Sequence, residues 1–154
     1  MISDTALKSS QRLKINRNFT PCPSVPGDEL YPNGIFVFNI TKMLDYIKEN
    51  PDEIVLEEIF ISDFPKIFSS INESHLNSVE IAKPVILAEI APGRYNVIDG
   101  NHRIEKARRL GVKAIMAYKF NVHQHIQFLI SKEAYLSYAE YWNDKIKIYG
   151  PGYH

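Results

Sequence analysis

The sequence predicts an α+β (α/β) domain, a small mixed sheet flanked by helices, and three observations carry that expectation. Val85–Ile90 and Arg94–Ile98 are short apolar runs separated by Ala91-Pro92-Gly93. Pro followed by Gly suits the two central positions of a tight turn, so the runs pair as a hairpin. Directly after the second run, Ile104, Ala107 and Leu110 recur at helical spacing, so a strand gives way to a helix at a corner. A third β-rich run, Ala114–Phe120 (AIMAYKF), follows that helix. Strands mixed with helices in this order build a sheet covered by helices.

The chain has 154 residues, enough for one domain with a real core. Its 45% hydrophobic and 23% charged shares are those of a water-soluble fold. No apolar run approaches the ~20 residues of a membrane span, so no membrane partner is expected. The opening stretch MISDTALKSSQRLK shows neither an apolar core nor a cleavage pattern, so no secretory signal is expected. A lone cysteine, Cys22, excludes a disulfide framework within the chain and suits a reducing, cytoplasmic compartment. Residues 1–33 are expected to form an irregular N-terminal arm, because TPCPSVPGDELYPNG carries Pro21, Pro23, Pro26, Pro32, Gly27 and Gly34. Residues 34–154 are expected to form the single domain. Oligomeric state is not legible.

Along that domain, Ile35–Ile40 (IFVFNI) is a predicted strand, and Thr41 is placed to cap a helix whose apolar residues Met43, Leu44 and Ile47 share a face. In EIVLEEIFISDF a strand is expected around Ile59–Ile61, and Asn72–Ala82 is expected to be a short helix stopped by Pro84. After Ile98 the chain turns at Asp99-Gly100, with Asn101 as the expected N-cap of the next helix. Gly111 fits a left-handed stop with Val112 behind it. Val122–Ile130 is predicted helical. Ser131 then caps a last helix, on which Tyr135, Tyr138, Ala139, Trp142, Ile146 and Tyr149 form a packing stripe.

Net charge is zero, yet charge is unevenly placed. Asp45, Glu49, Asp52, Glu53, Glu57, Glu58 and Asp63 face one base, Lys48, in the span 45–63. Arg103, Lys106, Arg108, Arg109 and Lys113 outnumber Asp99 and Glu105 in the span 99–113. Such local charge serves an anionic ligand, or is simply two solvated helix faces. The corner Asp99–Arg103 favours the ligand. A helix's first turn offers free N–H groups and a positive dipole end. Gly100 permits close backbone approach, Arg103 can fork two N–H groups to phosphate, and His102 can donate or relay a proton. Asp99 is placed to hold magnesium or act as a base. The bland alternative is an ordinary Asp-Gly turn with solvent-facing His102 and Arg103.

The segment KPVILAEIAPGRYNVIDGNHRIEKARRLGVKAIMAY (Lys83–Tyr118) resembles the core of the ParB/sulfiredoxin superfamily. The shared pattern is a Pro-led strand, a strand ending in Asp-Gly, x-His-Arg, an Ala- and Arg-bearing helix, then Leu-Gly before another strand. The resemblance implies a ParB/sulfiredoxin-like fold and a phosphate-binding loop at Gly100, Asn101, His102 and Arg103. It also implies a nucleoside triphosphate, ATP or CTP, with Mg2+ held by Asp99, and a phosphotransferase or NTPase in which Asp99 and His102 are catalytic. Asn101 stands where sulfiredoxins carry their redox cysteine, so that activity is not implied. The box matches most closely the Asp-Gly-His-His-Arg of free-serine kinases and related stand-alone ParB-like proteins, with Asn101 in place of the first His. Those kinases need a further carboxylate, and Glu57, Glu58 and Asp63 are acids without an assigned place. The alternative is a non-catalytic DNA-binding or ParB-like nuclease module acting on nucleic acid through the basic helix Arg103–Lys113. A degenerate member that keeps the fold and binds only a protein partner is a third reading.

Outside this box the signals are thin. His123 and His125 would share a face on a strand and ligate a metal, but lack further ligands nearby in sequence. His75 stands alone as a cap or surface residue, and Cys22 has no cation beside it in sequence to activate a thiolate.

Overall fold

The computed structural model describes residues 12–33, 36–66 and 71–149. The fold is α+β. Strands β1 (Leu30–Asn33) and β2 (Phe36–Asn39) pair antiparallel in a two-stranded sheet, and helix α1 (Ile40–Glu49) follows at once. The larger sheet contains β3 (Val55–Phe60), β4 (Val85–Ala91), β5 (Arg94–Asp99) and β6 (Ala114–Phe120), in the order β3-β6-β4-β5. Only β4 and β6 run parallel, so the sheet is mixed. The short helix α2 (Glu73–Leu76) precedes β4, and α3 (Asn101–Arg109) connects β5 to β6. Helix α4 (Val122–His125) and the long α5 (Lys132–Tyr149) close the chain. Among the described residues no helix is long and apolar enough to cross a membrane.

The sheet separates two apolar clusters. Val85 and Leu87 on β4 pack with Ile115 and Ala117 of β6 and with Ile104 and Ala107 of α3. Ile86, Ala88, Ile98 and Phe120 face the other way, against α1 and α5. β4 is therefore buried on both faces, which explains its unbroken apolar run. Each wholly buried Ile or Leu there contributes about 1.5–3 kcal/mol. On α5, Tyr135, Tyr138, Ala139 and Trp142 are buried in the second cluster, so the aromatic stripe is a packing face. Ser131 Oγ accepts from Ala134 N at 3.0 Å and starts that helix. The side chain of Tyr149 lies outside the described residues, as does Ile35.

Several expectations need correction. The N-terminal arm, which by sequence could be an ordered wrap or a flexible arm, is in its described part an ordered wrap, and the departure from irregular structure is the strand β1. Leu13 is buried, its backbone bonded to the Asn143 side chain, and Cys22 N donates to Leu129 O at 2.9 Å. Within the wrap, β1 contains Pro32, tolerated because a two-stranded sheet leaves one side of each strand unpaired. Asn39, not Thr41, caps α1 by accepting from Lys42 N at 3.0 Å. Thr41 Oγ1 instead accepts from Glu29 N at 2.7 Å and ties the wrap to α1. The strand expected around Ile59–Ile61 covers Val55–Phe60, and Ile61–Asp63 is a 3-10 turn. The helix expected over Asn72–Ala82 shrinks to α2, with Asn72 as its cap. Val122–Ile130 is α4 followed by a 3-10 turn at Ile126–Phe128. Leu110 is 62% exposed, because α3 has already ended and Gly111 turns the chain away. That stop is a Schellman turn: Gly111 has φ +75°, and Val112 N donates to Ala107 O at 2.9 Å.

Candidate functional site

At the end of β5 the chain reverses through Gly100, which has φ 112° and ψ 21° and is itself the N-cap of α3. Asn101 is the first helical residue rather than the expected cap, because the left-handed glycine already makes the turn that a capping side chain would brace. No side chain caps α3. The first bond along the helix runs from Ile104 N to Gly100 O at 3.0 Å. Among the described residues nothing accepts from the amides of Asn101, His102 and Arg103, so these N–H groups stand open at the positive end of the helix dipole. The missing side chain of Gly100 serves the protein's own packing: a Cβ there would lie 2.4 Å from Val85 Cγ1.

Of these residues His102 and Arg103, with Gly100, border an open cleft of about 370 Å³ that Glu29, His75, Lys83 and Asp99 also line. Glu29 comes from the turn before β1, His75 from α2, and Lys83 from the loop before β4. The Arg103 guanidinium turns inward, donating from Nη1 to Pro84 O at 2.6 Å and from Nη2 to Asp99 Oδ2 at 3.3 Å. Both ion-pair side chains are largely buried, 18% and 13% exposed. Arg103 therefore braces Asp99 and the start of β4 rather than extending freely toward a ligand, though a guanidinium has more N–H groups than these two bonds use. The Glu29 carboxyl faces that of Asp99 across the cleft. Partial burial and then the Asp99 charge push its pKa above the usual carboxylate value.

His102 Nε2 accepts from Asn72 N at 3.0 Å, which requires the neutral ring with its proton on Nδ1. Burial, with His75 beside it, lowers the His102 pKa, so the imidazole is neutral at pH 7. The two rings meet edge to face, 4.7 Å apart. His75 is a surface residue, as expected, and also a wall of the cleft. Its element is held to α3 by polar bonds. Lys106 Nζ donates to the carbonyls of Asn77 (3.3 Å) and Val79 (2.8 Å), and Arg109 forks onto Glu73 at 2.5 and 2.9 Å.

Glu57, Glu58 and Asp63 do not line this cleft. Glu57 pairs with Lys119 at 2.7 Å across the sheet. On α3, Arg108 bonds Glu105 and Phe64 O, and Arg109 bonds Glu105 and Glu73. Of the five bases from Arg103 to Lys113, Lys113 alone has no side-chain partner among the described residues. His123 and His125 sit on a helical turn, not a strand. His123 is exposed, while His125 is buried and donates from Nε2 to Glu89 O at 2.7 Å. No group of three or more His, Cys, Asp or Glu poised for a metal occurs among the described residues. Burial pushes the Cys22 thiol pKa up, away from reactivity. Sequence spacing had no means of finding Glu29 or His75, which reach the corner only through the fold of the wrap and the tether of α2.

No family model, no curated protein and no solved structure matches this chain.

Proposed function

We propose that the cleft takes the phosphate chain of a nucleoside triphosphate, ATP or CTP, with magnesium, and serves phosphotransfer or hydrolysis. The observation that carries this reading is the pair of open amides at His102 and Arg103, set beside a guanidinium and the neighbouring carboxyls of Asp99 and Glu29. The likeness of Lys83–Tyr118 to the ParB/sulfiredoxin core points the same way. Phosphate oxygens accept from the amides of His102 and Arg103, and the neutral His102 donates to them from Nδ1. Arg103 keeps positive charge at the corner while holding Asp99 in place.

Two carboxyls facing bare phosphate would repel it, so the pair needs a cation or a proton. Asp99 and Glu29 supply hard oxygen donors and would hold magnesium, which when bound neutralises phosphate charge. Glu29, with its raised pKa, is suited to take a proton from an attacking hydroxyl. A nucleic-acid role for α3 has less support, since Lys106, Arg108 and Arg109 are already engaged within the protein.

Calorimetric titration with ATP, ADP and CTP, with and without Mg2+, tests the reading. The expected result is saturable, magnesium-dependent binding weakened at least tenfold by Asp99→Asn. Absence of binding by every nucleotide in the presence of Mg2+ overturns it.

A further inference from the structure

A second cavity, about 190 Å³, lies on the other flank of the first turn of α3. Asn101 lines it, whereas Gly100, His102 and Arg103 line the cleft described above. The first turn of the helix thus divides two adjoining spaces of different chemistry. The second is lined by the aromatic residues Tyr31 and Phe64 and by apolar residues that include Val97 and Ile104. Its charged members are already satisfied: Arg108 donates to Glu105 at 2.7 Å and to Phe64 O at 2.8 Å, and Arg109 also bonds Glu105. What remains for a ligand is the Tyr31 hydroxyl with the side-chain amides of Asn96 and Asn101, none of which has a hydrogen-bond partner among the described residues.

A slot of mixed polar and apolar lining, bordered by two aromatic residues and with only neutral polar groups free, selects an uncharged planar ligand carrying donors and acceptors on its edge. A nucleobase has that character: its faces stack on aromatic side chains and its edge bonds an Asn amide at two points. Size agrees. The cavity is smaller than the ~300–1,000 Å³ of sites that enclose whole small molecules, so it accommodates a ring system and leaves sugar and phosphates outside. The adjoining amide row is where those phosphates would go.

Resting on the phosphate reading above, we infer that the Tyr31/Phe64/Asn96/Asn101 cavity seats the base of the nucleotide whose phosphates occupy the cleft. The ribose then crosses the ridge at Asn101, and the acceptor hydroxyl approaches from the Glu29 side. Asn96 and Asn101 are specificity residues, acting through hydrogen bonds to the base edge.

The test compares ATP and CTP with inorganic tripolyphosphate, all with Mg2+, by calorimetric titration of the whole chain and of Asn96→Leu. Asn96 is exposed on the edge strand β5, so this variant keeps the core intact. At least one nucleotide is expected to bind about tenfold more tightly than tripolyphosphate. Asn96→Leu should weaken that nucleotide about tenfold, the effect of leaving a base-edge group unpaired, and leave tripolyphosphate unchanged within about twofold. The side-chain amide NMR signals of Asn96 and Asn101 should move with the nucleotide, and that of Asn96 should stay still with tripolyphosphate. If tripolyphosphate binds as tightly as both nucleotides, or Asn96→Leu weakens neither, the base pocket falls while phosphate binding stands. If neither kind of ligand binds, both readings fall.

Discussion

Val85 fills the space in which any other residue at position 100 would carry its Cβ, with its own Cγ1 and Cβ at 2.4 and 2.8 Å from that point. Val85 is wholly buried at the start of the central strand β4. The open amides at the head of α3 are therefore a by-product of core packing: the chain must pass close to β4, and only a left-handed glycine passes there.

Gly100→Ala is accordingly expected to destabilise the fold by about 2–4 kcal/mol, combining overpacking with the left-handed backbone penalty. In a Val85→Ala background the same change should cost less, because the contact with Cγ1 is gone, yet still more than the backbone share of about 1–2 kcal/mol, because the Cβ at 2.8 Å remains. Urea unfolding of the four proteins of this cycle measures the difference. Equal costs in both backgrounds would show that Val85 is not the obstacle.

Arg103 joins Asp99 to the Pro84 carbonyl, and a lysine has no fork with which to do both. Arg103→Lys is expected to lower stability by about 1–2 kcal/mol through one lost charge-assisted bond. Coupled with Asp99→Asn in a double-mutant cycle, it should show an interaction of about 1 kcal/mol or more, since the pair is mostly shielded from solvent. Additive effects would show the ion pair to be incidental.

The raised pKa of Glu29 gives the cleft a pH dependence of definite sign. The fold favours the protonated carboxyl, so that contribution to stability is present at low pH and is lost as pH rises through the elevated pKa. Cation binding runs oppositely: Mg2+ or Mn2+ affinity should climb as pH rises through the same window. Glu29→Gln should flatten the climb. Manganese titrations followed by water-proton relaxation at stepped pH provide the measurement.

His125 has the reverse linkage. Burial lowers its pKa to about 4, and its Nδ1 is enclosed without a hydrogen-bond partner. The unfolded chain binds a proton from about pH 6.5 downward, whereas the fold resists until about pH 4. Stability from this residue is full above pH 6.5 and is lost on acidification toward pH 4, on the order of 3 kcal/mol in all. His125→Gln should remove most of that slope in thermal melts between pH 7 and 4.

What was legible in the sequence was whatever is decided by neighbours along the chain. The Pro92-Gly93 hairpin, the Gly111 stop and the strand Ala114–Phe120 depend on local backbone preferences, and each stands where those preferences put it. The cap of α1 was misplaced because Asn39 and Thr41 both qualify by residue type. Which one turns its side chain onto the helix is settled by the wrap, where Thr41 is occupied by Glu29 N. β1 was hidden by the prolines around it. Glu29 was invisible for a deeper reason: nothing local distinguishes an acid that will meet Asp99 from one, such as Glu57, that will meet Lys119.

The tether of α2 has its own consequence. This helix is too short to persist by itself, and besides the buried Leu76 its grip on α3 comes from the Lys106, Arg109 and His102 bonds. One bank of the cleft is moored by charge to the opposite bank. Added salt loosens such moorings long before it troubles an apolar core, so the width of the channel should answer to ionic strength while the sheet beneath it stays unmoved.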